Sequence, residues 1–216
     1  MKTIKHHLTD DLLMRYSAGT LPEAFSLVVA THISLCDECR AQLGSFDAVG
    51  GELVDDVAPV AMSDESLAAT LRMIIEQKSD EAEVEAPRES GVFPTPLQNY
   101  VSGDLKDVKW RKIGGGVSQM VLQTGDDASV RLLRIPAGTA VPDHGHNGTE
   151  LTLVLKGAFV DEHDRFAAGD VEVANEDLNH TPVAEAGEDC ICLAASDAPL
   201  VFKGLIPRLA QKFARI

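Results

Sequence analysis

Seven residues of this chain have the types and spacing of metal ligands, and they fall into two groups. The first lies in "HISLCDEC", where His32, Cys36 and Cys39 form His-x-x-x-Cys-x-x-Cys. On a helix, a separation of four stacks the imidazole and the first thiol on one face. A separation of three lets the thiols converge. Zinc takes thiolate and imidazole ligands tetrahedrally, so a fourth donor is wanted. His6 and His7 are the other histidines of this half, and spacing does not choose between them. Two further readings stay open. A Cys-x-x-Cys can be a redox pair, although that chemistry wants a βαβ setting. The cysteines can also be packed as small hydrophobes.

The second group is His144, His146, Glu150 and, further on, His180. Residues two apart share one side of a strand, and Glu150 keeps that parity. His180 can arrive from a neighbouring strand. Three imidazoles and a carboxylate suit zinc or another divalent transition metal, and the donors alone do not select which. Cys190 and Cys192 also share a strand face. They read either as buried small hydrophobes or as redox-responsive thiols.

The elements that must hold these residues differ between the halves. Residues 9 to 78 carry a helical period. Thr9 is placed to cap a first helix that stops at Gly19. Pro22 opens a second, whose apolar face carries Phe25, Val28, Val29, His32 and Ile33. A third starts near Asp37, with Cys39, Leu43, Phe46, Gly50 and Leu53 as its inner stripe. Ser63 can cap a fourth, in which Leu67, Leu71, Ile74 and Ile75 make an apolar face. That face either completes a four-helix core or docks in a partner's groove. The acidic, proline-punctuated "KSDEAEVEAPRESGVFPTP" reads as a linker. Beyond it come short strand-like runs bounded by turn residues, the pattern of an all-β sandwich or barrel.

The resulting division is a helical domain over residues 1–80, a linker over 81–98, a β domain over 99–200 and a tail over 201–216. A helical unit of this size has a marginal core of about 3–5 kcal/mol, which a metal clip can reinforce.

Charge narrows the functional classes. The chain carries a net charge of −15, and residues 1–85 hold 6 basic against 16 acidic side chains. Phosphate-backbone binding needs a basic footprint, so direct nucleic-acid contact is not expected. The acidity suits a basic protein partner, or it serves solubility alone. No apolar run reaches the ~18 residues of a membrane span, and no secretory signal is evident. A cytoplasmic setting follows, where thiols stay reduced.

The stretch from "HHLTDD" to "CDECRAQL" resembles the zinc-binding anti-sigma factors, whose pattern is an upstream His followed by His-x-x-x-Cys-x-x-Cys. The resemblance covers about residues 1–80. It implies that His7 is the fourth zinc ligand, and that the helices hold an alternative sigma factor of the extracytoplasmic-function type, one to one. Gly138, His144, His146, Glu150 and Gly157 resemble the first motif of the cupin family, which implies a small β-barrel with a metal inside. The second cupin motif is weaker. Gly169 and His180 match it, while Asn175, Asp177 and Ala184 stand where Pro, Gly and Asn are usual.

The whole chain, including "EAFSLVVATH", "VPDHGH" and "DCICLAA", is similar to anti-sigma factors that join these two domains and govern the response to singlet oxygen. That implies a two-domain α+β protein in which oxidative stress at the cupin leads to release of the sigma factor, with no catalysis and no small-molecule substrate assigned. The alternative is a metal-dependent cupin enzyme (dioxygenase, isomerase or hydrolase) carrying a helical accessory domain.

Overall fold

The computed structural model describes residues 3–63, 65–76 and 91–202. Residues 81–90 of the expected linker, 77–78 of the expected fourth helix and 203–216 of the expected tail lie outside the described residues.

Among the described residues five α-helices come first: α1 (Asp10–Ser17), α2 (Glu23–Leu35), α3 (Asp37–Asp55), α4 (Ser66–Glu76) and α5 (Thr95–Val101). Thr9 caps α1 by accepting from the Leu12 N–H, and two acids follow in the first turn, where the helix dipole favours them. Gly19, at φ +65°, takes the left-handed turn that ends it. Cys36 closes α2 and its Sγ accepts from the Cys39 N–H, so one thiol both ends one helix and caps the next.

α2 is buried nearly all round, because α1 and α3 cover one side and a β-sheet covers the other. α3 outruns that core. Leu43 and Phe46 pack against it, but Leu53 is 66% exposed, so the expected inner stripe stops short of Leu53. α4 buries no residue at all.

Helix α5 corrects the reading of residues 95–98 as linker. Pro94 and Pro96 suit the start of a helix as well as a linker, and Phe93 and Leu97 are buried in the core. Glu23 ties the start of α2 to both neighbours. It accepts from the Tyr100 hydroxyl at 2.7 Å and from the Gly125 N–H at 2.9 Å.

Twelve strands follow among the described residues: β1 (Arg111–Gly114), β2 (Val117–Leu122), β3 (Ser129–Ile135), β4 (His144–His146), β5 (Glu150–Lys156), β6 (Ala158–Val160), β7 (Arg165–Ala167), β8 (Val171–Ala174), β9 (Asn179–His180), β10 (Val183–Ala184), β11 (Cys190–Ser196) and β12 (Leu200–Phe202). A six-stranded sheet runs β1-β2-β3-β11-β5-β8, and two three-stranded sheets run β10-β6-β7 and β12-β4-β9. β12 extends past residue 200, so Val201 and Phe202 belong to a strand paired with β4 rather than to a tail.

Alternation along the large sheet explains how the halves join. Leu132, Leu151, Leu153, Ile191 and Leu193 face outward and share one apolar cluster with Leu13, Phe25, Val28, Val29 and Leu97 of the helices. The alternate residues, among them Val154, Cys190 and Cys192, face the barrel interior. The run "CICLAA" is apolar throughout because both of its faces are covered. No helix among the described residues is long and apolar enough to cross a membrane.

Candidate metal centres

The end of α2, the start of α3 and the segment before α1 bring His7, His32, Cys36 and Cys39 to one point, with one donor atom of each within 4.8 Å of the others. His32 Nε2 lies 3.3 Å from Cys39 Sγ, and His7 Nδ1 lies 3.3 Å from Cys36 Sγ and 3.6 Å from Cys39 Sγ. A tetrahedral zinc with ordinary bond lengths would separate sulfur and nitrogen ligands by about 3.5 Å. The donor set and its spacing therefore fit such an ion.

The tautomer is also set. His32 Nδ1 sits 3.0 Å from the Gly169 carbonyl, which can only accept, so Nδ1 carries the proton and the Nε2 lone pair faces the cluster. Burial pushes the His32 pKa down to about 4, which keeps the ring neutral. Burial pushes the Cys39 thiol up to about 11 in the metal-free protein, where a cation would offset that cost.

His6 takes a different path. Its ring packs on Phe166 at 4.3 Å and lies 3.5 Å from Asp164. The chain around it is fastened to the barrel. Asp170, 2% exposed, accepts from the Lys5 N–H at 2.6 Å and the His6 N–H at 3.1 Å, while the Val171 N–H donates to the His6 carbonyl. The amino-terminal arm thus lies along the start of β8, and the ring of His7 is delivered into the cluster.

Inside the barrel, β4 supplies His144 and His146 and β9 supplies His180. His180 Nε2 lies 3.2 Å from His144 Nε2 and 3.4 Å from His146 Nε2. Imidazole ligands on one tetrahedral zinc would stand about 3.3 Å apart. Glu150 stands at the margin rather than within this trio. Its Oε2 is 4.0 Å from His146 Nδ1, and its Oε1 accepts from the Thr152 hydroxyl at 3.1 Å. Burial raises Glu150 to about 7. His146 Nδ1 is buried and makes no hydrogen bond; with Nε2 turned to the cluster it would carry the ring proton, and Glu150 stands too far off to accept it.

Two carboxylates that the sequence did not single out hold His180 from behind. Its Nδ1 lies 2.9 Å from Asp161 Oδ2 and 3.2 Å from Glu172 Oε1. A backing carboxylate orients an imidazole and raises its basicity toward a cation on the far nitrogen. In the metal-free protein burial opposes a proton on His180, yet Glu172 and Asp161 outweigh it and push the pKa up to about 9. His144 and His146 are pushed down to about 4 by burial. One proton and one metal ion therefore compete for the same nitrogen.

Cys190 Sγ and Cys192 Sγ are 3.5 Å apart, both buried, and Cys192 lines the barrel cavity that also reaches His144 and His180. Hydrogen bonding with Cys190 and burial raise the Cys192 pKa well above its ordinary value. Leu67, Leu71, Ile74 and Ile75 of α4 lie in the open, between 48% and 80% exposed.

Comparison with known proteins agrees with this architecture. Residues 98–198 match a family described as the ChrR cupin-like domain. Over 214 residues the chain is 59% identical to the anti-sigma-E factor ChrR of Cereibacter sphaeroides, covering 99% of this chain and 100% of that protein. The crystal structure of Rhodobacter sphaeroides SigE in complex with the anti-sigma ChrR matches with a TM-score of 0.78 and 59% identity, over 90% of this chain and all of the matched one. Similarity that runs through the helical cluster and the barrel alike places this chain in the ChrR family.

Proposed function

We propose that this protein is a cytoplasmic anti-sigma factor that sequesters one alternative sigma factor of the extracytoplasmic-function type and releases it under oxidative stress such as singlet oxygen. The observation that carries the reading is helix α4. It displays Leu67, Leu71, Ile74 and Ile75 to solvent and buries nothing, which is how a helix awaiting a groove is built. Full-length similarity to a protein named for holding a sigma factor supports the same partner here.

In this reading zinc at His7, His32, Cys36 and Cys39 fixes α1 to α3 as the grip. A zinc or other divalent ion at His144, His146 and His180, with Glu150 beside them, serves the barrel as sensor or transmitter rather than as a catalyst. Cys190 and Cys192 are the thiols placed for oxidant chemistry. The seam formed by Gly169 and Asp170 gives the barrel a direct hold on the first cluster. Moving a complex from mostly bound to mostly free takes several kcal/mol, and loss of a structural ion supplies energy on that scale.

The test is a titration of the full chain against the candidate sigma factor, with metal loaded and with metal stripped. Tight one-to-one binding that weakens on stripping is expected. Equal binding by the stripped protein, or none by the loaded one, would overturn the assignment.

A further inference from the structure

We propose that Cys190 and Cys192 together bind a monosubstituted trivalent arsenical, its arsenic bridging the two sulfurs and its organic group lodged in the apolar part of the barrel interior. The inference stands apart from the sigma-holding reading and involves no oxidation.

Register and burial place both thiols. β11 lies inside the large sheet, with Cys190 opposite Ile135 and Cys192 opposite Leu133 on β3, and with Cys192 opposite Val154 on β5. Two apart on a strand, both side chains leave one face, here the face turned inward. Their sulfurs stand 3.5 Å apart and both residues are buried. The strand opposes a direct bond between them. Extended backbone sets such residues about 6.6–6.8 Å apart, while a disulfide wants its Cβ atoms about 3.5–4.5 Å apart. Pairing with β3 and β5 holds β11 extended. A one-atom bridge meets no such obstacle. With bonds of about 2.3 Å, the length of a zinc–thiolate bond, sulfurs 3.5 Å apart subtend an angle of about 100° at the bridging atom. A linear two-thiolate ion would need about 4.6 Å between the sulfurs at that bond length. The bent, pyramidal centre of trivalent arsenic fits the closer pair.

Coordination and charge narrow the ligand further. Among the described residues, neither thiol belongs to a group of three or more donors close enough to share a metal ion. Zinc wants four ligands, whereas an arsenical that carries one carbon substituent is completed by two sulfurs. Hydrogen bonding with Cys190 and burial raise the Cys192 pKa well above its ordinary value, so a bare thiolate is costly there. Exchange with the arsenical avoids that cost. Two arsenic–oxygen bonds of the dihydroxide break and two arsenic–sulfur bonds form. Each thiol proton leaves with one hydroxyl as water, arsenic stays trivalent, and every species is neutral.

The surroundings suit the organic group. Val117, Ile135, Val154, Phe159 and Phe166 form one cluster with the two cysteines. A cavity of about 900 Å³ reaches Cys192 and Phe159. Arg131, Glu150 and Glu172 line the same cavity, and a neutral ligand requires none of them to be unpaired.

Phenylarsine oxide, which hydrates to the dihydroxide in water, is the probe. It is added in equimolar amount to the full chain loaded with zinc, which caps Cys36 and Cys39. Intact mass spectrometry should show one phenylarsenic adduct per chain, with no zinc lost. Excess 2-mercaptoethanol should leave the adduct in place and an excess 1,2-dithiol should remove it. Cys190→Ala and Cys192→Ala should each weaken binding at least about 100-fold, because the second arsenic–sulfur bond closes intramolecularly only in the pair. Retained zinc and an unchanged circular dichroism spectrum establish that each variant is folded. If an alanine variant does not fold, Cys190→Ser or Cys192→Ser replaces it. Absence of an adduct on the zinc-loaded chain overturns the proposal. So do an adduct that persists in either variant, one that 2-mercaptoethanol removes, and one that forms only as zinc is lost.

Discussion

The Nδ1–H of His32 donates to the carbonyl oxygen of Gly169 across 3.0 Å, so a side chain of the helical metal cluster is oriented by the backbone of the barrel. Gly169 has φ +100°, and a Cβ there would stand 2.7 Å from Ile4 of the amino-terminal arm. Gly169→Ala is therefore expected to cost about 1–3 kcal/mol through backbone strain and the clash together. It should also speed zinc release from the helical cluster to a chromogenic chelator, although Gly169 offers no ligand. Unchanged release kinetics would show that the seam does not orient His32.

Asp170 makes a second test of the same seam. Its carboxylate accepts from the Lys5, His6 and Ala167 N–H groups, and all of these bonds are at least partly buried. Asp170→Ala leaves those donors without their acceptor, at a cost of about 2–4 kcal/mol. The arm before α1 should then show faster amide exchange at residues 5–7 than in the parent chain. Equal protection in the two proteins would contradict the bonding described here.

The backing of His180 predicts a proton count. In the metal-free protein His180 has a pKa raised from 6.5 to about 9, which stabilises the fold fully below 6.5 and is lost as pH rises through 9. The melting temperature of the stripped chain should fall across that window, and His180→Gln should flatten the slope. Below 6.5 the trend reverses, because His144 and His146 resist protonation down to about 4 while the unfolded chain takes up protons. Metal binding near neutral pH should release a proton from His180, measurable by calorimetry in buffers of different ionisation enthalpy. Asp161→Asn should lower cupin-site metal affinity by about 10–100-fold.

Helix α4 can be altered without touching the core. Leu71→Ser with Ile74→Ser should leave the melting temperature within about 0.5 kcal/mol equivalent of the parent, since both side chains are exposed. The same pair should weaken sigma-factor binding by more than about tenfold, as loss of two anchor residues does in helix-in-groove docking. A stability loss with intact binding would instead mean that α4 completes a helical core.

Much of this is legible in the sequence. Ligand spacing along α2 and α3 and the parity of His144 and His146 depend on local geometry, and local geometry is what a sequence encodes most directly. The choice of His7 over His6 does not, because Phe166, Asp164 and Asp170 decide it from far along the chain. Glu172 escaped notice for a related reason. In "VEVA" the alternation invites an outward glutamate, yet Glu172 is 7% exposed and Val173 is 38% exposed. Pairing with Thr152 sets the phase of β8 and turns the carboxylate inward, and that pairing is invisible in the strand itself. Helix α5 hid behind its prolines, which mark a linker and a helix start alike.

The grip of Asp170 on residues 5 and 6 reassigns the beginning of the chain. By sequence order these residues open the helical half, but by bonding they are an added edge of the barrel. Cutting the polypeptide between the halves would leave the first segment still gripped by the barrel. Under the proposed function, parting the helices from the barrel would therefore mean undoing a non-covalent seam, which proteolysis of the connecting segment would not by itself break.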